Sequence, residues 1–345
     1  MKYNPSITPN KRSSLKINFG ERLNDRIGIA SSDIKYNSKS LKPSQNKTKK
    51  YKIEDFSVLS LLGYGTFGSV LLVKHAKYQD QPYALKAIVK SKIDIETKQL
   101  THIKNERDVL LKLGKENKDK FWPNLYESMQ DDACFYFLLD YVPGGELFTF
   151  IKRKLVIKTE GIKFYMAEVI CALEQLHKLN IIYRDIKLEN ILIDTDGHIK
   201  LVDFGFAKIL KEGSKTYTNW GTPGYMAPEV IQKLGHTTQA DIWGLGVLLW
   251  EMIGGFTPFQ DSNPKKVYQN IIHWDIKWPK NIDPFAKDLV SKILVVDPEM
   301  RATLKQIKRH KFFSVLMFKH NNFIVGNWLE IKQRTVNLNR FTSQI

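Results

Sequence analysis

Cysteine is scarce in this sequence of 345 residues, and long apolar runs are missing. Its two cysteines, Cys134 and Cys171, cannot build the disulfide framework of a small secreted protein. The most apolar stretch, Asp241 to Met252, is too short and too interrupted by charge to span a bilayer. We therefore expect no membrane span and no signal peptide, and a reducing compartment, either the cytoplasm or the nucleus.

Acidic residues are also few, with 36 Asp and Glu against 53 Lys and Arg and a net charge of +17. The first 50 residues contain twelve Lys and Arg, three Asp and Glu, and few apolar side chains. We expect residues 1–55 to form a disordered basic arm. Such an arm can bind nucleic acid, but a solvated tail is the commoner case, so a nucleic-acid partner is disfavoured.

The acidic residues that are present occur in an informative order. The loop sequence Tyr183-Arg184-Asp185-Ile186-Lys187-Leu188-Glu189-Asn190 contains a carboxylate, a lysine and an amide. A hairpin-like segment, Ile191 to Leu201, separates it from Asp203-Phe204-Gly205. Phosphoryl transfer from Mg·ATP needs such groups, because negative charge spreads over the oxygens of the transferred phosphate. Each motif alone could be an ordinary surface turn, but their order and spacing argue against that alternative.

A glycine-rich segment lies upstream, Leu62-Gly63-Tyr64-Gly65-Thr66-Phe67-Gly68-Ser69-Val70. The glycine spacing alone is weak evidence, because dinucleotide-binding folds share it. The residues that follow, Ser69 to Val73, are rich in strand formers, so we predict a hairpin instead of a helix. The next predicted strand, Tyr83 to Ile88, has Ala84 and Lys86 on one face, because side chains alternate along a strand.

A helix is predicted between Ile93 and Leu113, where apolar residues recur at helical spacing. This helix contains Glu106. A glutamate in such a helix is most often a solvated charge.

Taken together, these motifs resemble those of protein kinases. Tyr183-Arg184-Asp185, Leu201 to Lys208, Val142 to Phe148 and Arg309 to Phe313 are similar to the AGC group, most closely to catalytic subunits of cAMP-dependent protein kinase. The resemblance covers roughly residues 56–313 and implies an α+β, bilobal kinase fold. A small β-rich lobe (56–142) and a larger helical lobe (143–313) would enclose a nucleotide cleft, followed by a short tail (314–345).

The resemblance implies an ATP- and Mg²⁺-dependent protein serine/threonine kinase. Asp185 would accept the proton of a substrate hydroxyl, while Lys187 and Lys86 would neutralise phosphate charge, and all three are the expected catalytic residues. Asn190 and Asp203 would hold Mg²⁺ through oxygen ligands. The implied ATP-binding residues are Leu62, Gly63, Tyr64, Gly65, Thr66, Phe67, Gly68, Val70, Ala84, Lys86, Glu106, Asp140, Val142 and Leu192.

Substrates and control are implied in the same way. Glu146, Glu189 and Glu251 would bind arginines two and three positions before the phosphorylated Ser or Thr of protein substrates. Thr218 matches the activation phosphosite. A cAMP-binding regulatory subunit, acting from a separate chain, is the implied partner. The residues expected to coordinate phosphate on Thr218 are Arg184, Lys208 and His102.

Two other classes of protein would share most of these motifs. A cGMP-dependent kinase or another AGC kinase would share these motifs, although the segment before residue 56 is short for a folded cyclic-nucleotide domain. A pseudokinase scaffold would be expected to have lost at least one of Lys86, Glu106, Asp185, Lys187, Asn190 or Asp203, and all are present. The same resemblance predicts that Arg301 pairs with Glu229.

Overall fold

A computed structural model describes residues 51–65, 67–78, 81–93, 98–115, 121–154, 158–279, 281–314, 316–319 and 322–325. The basic arm up to residue 50 lies outside the described residues. The chain divides into two compact units. The first contains residues up to Ile93 together with Glu127–Leu139, and the second contains Asp94–Tyr126 and the residues from Asp140 onward. The fold is α+β, as predicted, with an antiparallel sheet in the first unit and mostly helices in the second.

The sheet has five strands in the order β1-β2-β3-β5-β4. Burial alternates along β2, where Ser69, Leu71, Val73 and His75 are buried, as expected for a strand with one face on a core. Most of β3 is buried because its sequence is nearly all apolar. The strand bounds are β1 Phe56–Gly65, β2 Gly68–His75, β3 Pro82–Val89, β4 Leu125–Gln130 and β5 Cys134–Asp140.

The glycine-rich segment forms the turn between β1 and β2, as predicted, and its last pair is Gly65 opposite Gly68. A Cβ atom on Gly68 would lie 1.8 Å from the carbonyl oxygen of Ala87, so no other residue fits there without moving β3. The dinucleotide-binding alternative is therefore excluded, because β2 and not a helix follows these glycines. Thr66 lies outside the described residues.

An aromatic cluster marks where the described chain begins. Tyr51 is buried and packs against Phe56, His75 and Tyr83 at ring-centroid distances of 5.6 to 6.1 Å. A short 3₁₀ helix, Ile53–Asp55, follows it. The packed first unit thus includes residues that the sequence analysis assigned to the arm, because burial of Tyr51 fixes the chain before β1.

The second unit is built around two long helices, α3 and α5. Both are largely buried, and the residues of α5 from Asp241 to Trp250 are all in the interior, which explains the apolar run noted in the sequence. No helix in the described part of the chain is long and apolar enough to cross a membrane. The helix bounds are α1 Lys98–Lys115, α2 Leu147–Lys154, α3 Thr159–Lys178, α4 Pro228–Ile231, α5 Gln239–Gly254, α6 Pro264–His273, α7 Pro284–Ile293 and α8 Leu304–Lys308.

Short strands connect these helices. The predicted hairpin after the Asp185 loop is present, with β7 antiparallel to β8, and β6 pairs with β9. A further hairpin, β10 with β11, follows residue 313, and residues 326–345 lie outside the described part. The bounds are β6 Ile181–Ile182, β7 Ile191–Ile193, β8 Ile199–Leu201, β9 Lys208–Ile209, β10 Leu316–Lys319 and β11 Asn322–Val325.

Helix α1 groups with the second unit. Lys112 Nζ donates to the carbonyl oxygen of Leu179 at 2.8 Å, just after α3. Trp122 Nε1 donates to the carbonyl oxygen of Leu113 at 3.3 Å. The first bond ties α1 to the helical unit, and the second ties α1 to the segment that follows it. The grouping follows from tertiary contacts that local sequence patterns do not contain.

Candidate active site

The loop that carries Asp185 is held by a buried aspartate of α5. Asp241 accepts hydrogen bonds from the backbone N–H groups of Tyr183 (3.0 Å) and Arg184 (2.7 Å), and its side chain lies 2.8 Å from His177 Nε2. Arg184 has φ +69°, in the left-handed region that side chains other than glycine rarely adopt. Asp241 therefore supports a strained backbone next to the proposed catalytic carboxylate. Sequence reasoning gave it no role, although a lone carboxylate at the start of an apolar helix was the available signal.

Three side chains converge on the carboxylate of Asp185, which is 1% exposed. Lys187 Nζ and Asn190 Nδ2 donate to its Oδ2 at 2.8 and 2.7 Å. Thr222 Oγ1 donates to its Oδ1 at 2.7 Å, and Lys187 Nζ also donates to Thr222 Oγ1 at 3.1 Å. The arrangement fixes the carboxylate in one orientation and keeps a cation beside it.

Thr222 is a site residue that sequence reasoning missed. It lies in the Gly221-Thr222-Pro223 sequence, 37 residues from Asp185, and it contacts both Asp185 and Lys187. A hydroxyl between a glycine and a proline looks like an ordinary turn residue. Only the folded path of the chain brings it to the carboxylate.

The two proposed Mg²⁺ ligands belong to the same unit. Asn190 Nδ2 donates to the backbone oxygen (2.9 Å) and the side chain of Asp185, so its amide oxygen Oδ1 is the atom available to a cation. Asp203 is exposed and has φ +57°. Its Oδ1 accepts a hydrogen bond from the N–H of Gly205 at 3.4 Å. One amide oxygen and one carboxylate fit Mg²⁺, which takes oxygen ligands and keeps few protein partners.

Glu106 is buried, 4% exposed, which excludes the alternative that it is a solvated helix charge. An added Cβ on Gly205 would lie 3.7 Å from Glu106 Oε2 and 3.2 Å from Asp203 Oδ1. Glu106 on α1 therefore lies beside the backbone of the Asp203-Phe204-Gly205 motif. A side chain on Gly205 would crowd Asp203 Oδ1 and would contact Glu106 Oε2 at an ordinary distance.

The first unit carries the other proposed ATP-binding residues. Ala84 is buried and Lys86 is half-buried on β3, and Lys86 pairs across the sheet with Val70. Leu62 and Tyr64 are exposed on β1, at 42% and 73%. Gly65 and Gly68 bound the turn, which contains Phe67, and Gly63 lies on β1 just before it.

Three further residues proposed to contact ATP belong to the second unit. The carboxylate of Asp140 accepts hydrogen bonds from the backbone and side-chain nitrogens of Asn124 (2.8 and 2.9 Å) and from the hydroxyl of Tyr126 (2.6 Å). Val142 is buried, and Leu192 is half-buried and forms a β-bridge with Glu146. The side chain of Asp140 is thus committed to the segment 124–126.

The proposed phosphosite lies within a cluster of hydroxyls and cations. Arg184 Nη1 donates to Thr218 Oγ1. Lys208 Nζ donates to Thr216 Oγ1 at 3.0 Å, and the Thr216 and Thr218 hydroxyls are 3.2 Å apart. Burial lowers the pKa of Arg184 to about 10, and burial followed by the charge of Arg184 lowers the pKa of Lys208. The two cations destabilise each other, so an anion on Thr218 would be favoured.

His102, the third predicted phosphate ligand, has a ring contact that the sequence did not predict. Its centroid is 4.5 Å from that of Trp220 and 6.5 Å from that of Phe206. Through Trp220, the ring lies near the segment from Asp203 to Glu229, which we call the activation segment.

Two of the three glutamates proposed to bind arginine, Glu189 and Glu251, lie close enough to repel each other. The hydroxyl of Tyr225 donates to Glu251 Oε2. Burial, and secondarily the charge of Glu189, raises the pKa of Glu251 to about 7. Glu146 and Glu189 are exposed, and Thr149 Oγ1 lies 3.5 Å from Glu146 Oε2. An arginine bound between Glu189 and Glu251 would relieve their repulsion.

The predicted pair of Arg301 and Glu229 is present. Arg301 donates two parallel bonds to the carboxylate of Glu229, at 2.7 and 2.6 Å, and both residues are buried. Arg301 also donates to the carbonyl oxygens of Gln239, Val295 and Val296. The pair joins α4, which ends the activation segment, to the segment before α8.

Comparison with known proteins agrees with this geometry. Residues 56–313 match the family described as protein kinase domain. The chain is 44% identical over 268 residues to the human cAMP-dependent protein kinase catalytic subunit PRKX, covering 76% of this chain and 73% of that protein. It is 41% identical to the Drosophila melanogaster cAMP-dependent protein kinase catalytic subunit 3, covering 78% of this chain and 46% of that protein. It is 39% identical to the Saccharomyces cerevisiae cAMP-dependent protein kinase type 3, covering 78% and 67%.

Proposed function

Because this chain belongs to the protein kinase family, in the AGC group of serine/threonine kinases, we propose that it transfers the γ-phosphate of Mg·ATP to protein substrates. The phosphate acceptor is a Ser or Thr preceded by arginine. The observation that carries this proposal is the convergence of Lys187, Asn190 and Thr222 on the buried carboxylate of Asp185. A carboxylate held in this way can orient a hydroxyl and accept its proton.

ATP and Mg²⁺ are the proposed cofactors. The family uses ATP. Because Asn190 Nδ2 donates hydrogen bonds to Asp185, the side-chain oxygen of Asn190 is left to bind Mg²⁺ together with the carboxylate of Asp203. When bound, Mg²⁺ supplies positive charge to the phosphate oxygens. Lys187 places an ammonium group beside Oδ2 of Asp185, where its positive charge would stabilise the negative charge that develops on the transferred phosphate.

Arginine-containing substrates are supported by the carboxylates of Glu146, Glu189 and Glu251. The proximity of Glu189 to Glu251 creates a local excess of negative charge that a guanidinium can neutralise. Arg is favoured over Lys because its planar fork can bond a carboxylate with two N–H groups. The positive charge of Lys152, which lies near Glu251, offsets part of this negative charge.

A separate cAMP-binding regulatory subunit is the proposed partner. Its support is the similarity to cAMP-dependent protein kinase catalytic subunits together with exposed apolar side chains of Tyr217 (65%) and Leu234 (63%) near the activation segment. The proposed location is the cytoplasm or the nucleus, on the low cysteine content.

A peptide-library phosphorylation assay tests the proposal. We expect Mg·ATP-dependent phosphate on Ser and Thr peptides, with selection for Arg two and three positions before the acceptor. Glu251→Gln should weaken selection at one of these positions, whereas Glu212→Gln, an exposed glutamate of the activation segment, is the matched control. Phosphorylation of Tyr peptides alone, or equal use of peptides without Arg, would contradict the proposal. Adding a regulatory subunit with and without cAMP then tests the partner.

A further inference from the structure

Trp220 lies between the proposed phosphosite and the residues around the catalytic carboxylate. Its backbone N–H donates to the carbonyl oxygen of Thr218 at 3.1 Å. Two residues later, Thr222 donates to Asp185. A contact that fixes the side chain of Trp220 therefore fixes the stretch that joins Thr218 to Asp185.

The indole ring of Trp220 packs against two rings from distant parts of the sequence. Its centroid lies 4.5 Å from that of His102, with the ring planes at 64°, and 5.7 Å from that of Phe206, with the planes at 26°. His102 and Phe206 are themselves 6.5 Å apart. These separations and angles are those of attractive edge-to-face and stacked aromatic pairs. We refer to His102, Phe206 and Trp220 as the aromatic clamp.

Each partner of Trp220 belongs to a segment that carries a proposed site residue. His102 precedes Glu106 by one helical turn on α1, so the two residues share a face of the helix. Phe206 directly follows the Asp203-Phe204-Gly205 motif, and its carbonyl oxygen accepts a hydrogen bond from Arg184 Nε at 2.6 Å. The aromatic clamp thus connects the activation segment to the segments that carry Glu106 and Asp203.

The clamp differs in kind from the cation cluster around Thr218. A phosphate on Thr218 would act through charge, on Arg184, on the predicted ligand His102 and, through the Thr216 hydroxyl, near Lys208. Ring packing on Trp220 needs no phosphate, because it rests on dispersion and burial of apolar surface. The aromatic clamp and the cation cluster both hold the short stretch of chain around Thr218 and Trp220.

We propose that Trp220 is a positioning residue, which fastens the activation segment to α1 through His102 and Phe206, in parallel with phosphate on Thr218. This inference rests on the proposed kinase function. It assigns Trp220 no contact with substrate or ATP. Trp220 would affect phosphate transfer by positioning Thr222 and Asp203.

Steady-state kinetics of Trp220 variants give the first test. Trp220→Ala should lower kcat on the order of tenfold, because two aromatic pairs are lost, while KM for the peptide changes little. Trp220→Phe should retain most of kcat, since a ring remains. The matched control is Phe285→Ala, which removes a half-exposed ring of α7 that lies outside the clamp. An unchanged kcat in Trp220→Ala, or equal losses in the Ala and Phe variants, would overturn the proposal.

A double-mutant cycle with hydrogen exchange gives a second test that does not need turnover. Trp220→Ala should raise amide exchange both in residues 206–222 and in α1, and His102→Ala should do the same. The double variant should show little further increase, because both changes remove one interaction. Additive effects, or an α1 whose exchange does not respond to Trp220→Ala, would overturn the clamp. A wild-type protein without phosphotransfer would refute the proposed function, and the exchange data would still decide on the clamp.

Discussion

The carboxylate of Asp185 receives hydrogen bonds from side chains that approach it from two parts of the sequence. Lys187 and Asn190 belong to its own loop, and their positions follow from the local motif. Thr222 comes from the activation segment, 37 residues away. Sequence reasoning could predict the first two because they lie within a few residues of Asp185, but a contact made by Thr222 depends on how the chain folds back.

The Thr222 hydroxyl is therefore expected to contribute to turnover. Thr222→Ala should lower kcat by roughly tenfold to a hundredfold, because it removes a hydrogen bond to a buried carboxylate and a partner of Lys187. Thr222→Ser keeps the hydroxyl and should keep most of the activity. Steady-state kinetics on an arginine peptide, with Thr195→Ala at an exposed threonine as a control, measure the difference. Equal activity of the Ala and Ser variants would show that the hydroxyl has no role.

Glu251 predicts a pH dependence of substrate binding. Burial and Glu189 raise its pKa to about 7, so it is neutral below that pH and negative above it. A guanidinium needs the charged form, so KM for a peptide with Arg two positions before the acceptor should rise as pH falls below about 7. The KM of a peptide with Ala at that position should vary much less.

The Glu251→Gln variant serves as the control for this titration. Its KM should be high and nearly independent of pH in the same window. A wild-type KM that stays constant from about pH 8 to about pH 6 would contradict the charge assignment of Glu251.

At the scale of elements, the activation segment is fixed at several points along its length. Thr218 contacts Arg184, Trp220 packs in the aromatic clamp, and Glu229 pairs with Arg301. The Glu229–Arg301 pair could be predicted from the family resemblance. The clamp could not, because a tryptophan in a loop carries no local sign of the helix that it will contact.

Thr218 is the point at which phosphate is proposed to act. Thr218→Ala should lower activity on the order of tenfold or more, because Arg184 and Lys208 lose the anion that would offset their mutual repulsion. Mass spectrometry of active protein should find phosphate on Thr218, and Ser214→Ala in the same segment should have little effect. Full activity of Thr218→Ala would argue that the other contacts of the segment suffice.

Across the whole molecule, several elements follow directly from local patterns in the sequence. The β1–β2 turn, the strand with Ala84 and Lys86, and the β7–β8 hairpin agree with the sequence because strand alternation and glycine placement are local properties. The grouping of α1 with the helical unit depends on bonds such as that from Lys112 to Leu179, which local sequence patterns do not contain. Burial of Glu106 likewise required the fold, because its sequence context is that of an exposed helix.

Asp185 is proposed to be the group that orients the substrate hydroxyl and accepts its proton. The most direct test measures phosphate transfer from Mg·ATP to a peptide with Arg two and three positions before a single Ser, by the wild type and by Asp185→Asn, with ATP binding measured separately. We expect the variant to bind ATP about as well as the wild type and to turn over slower by a factor on the order of a hundred or more. Near-normal turnover by Asp185→Asn, with the wild type active, would contradict this role of Asp185.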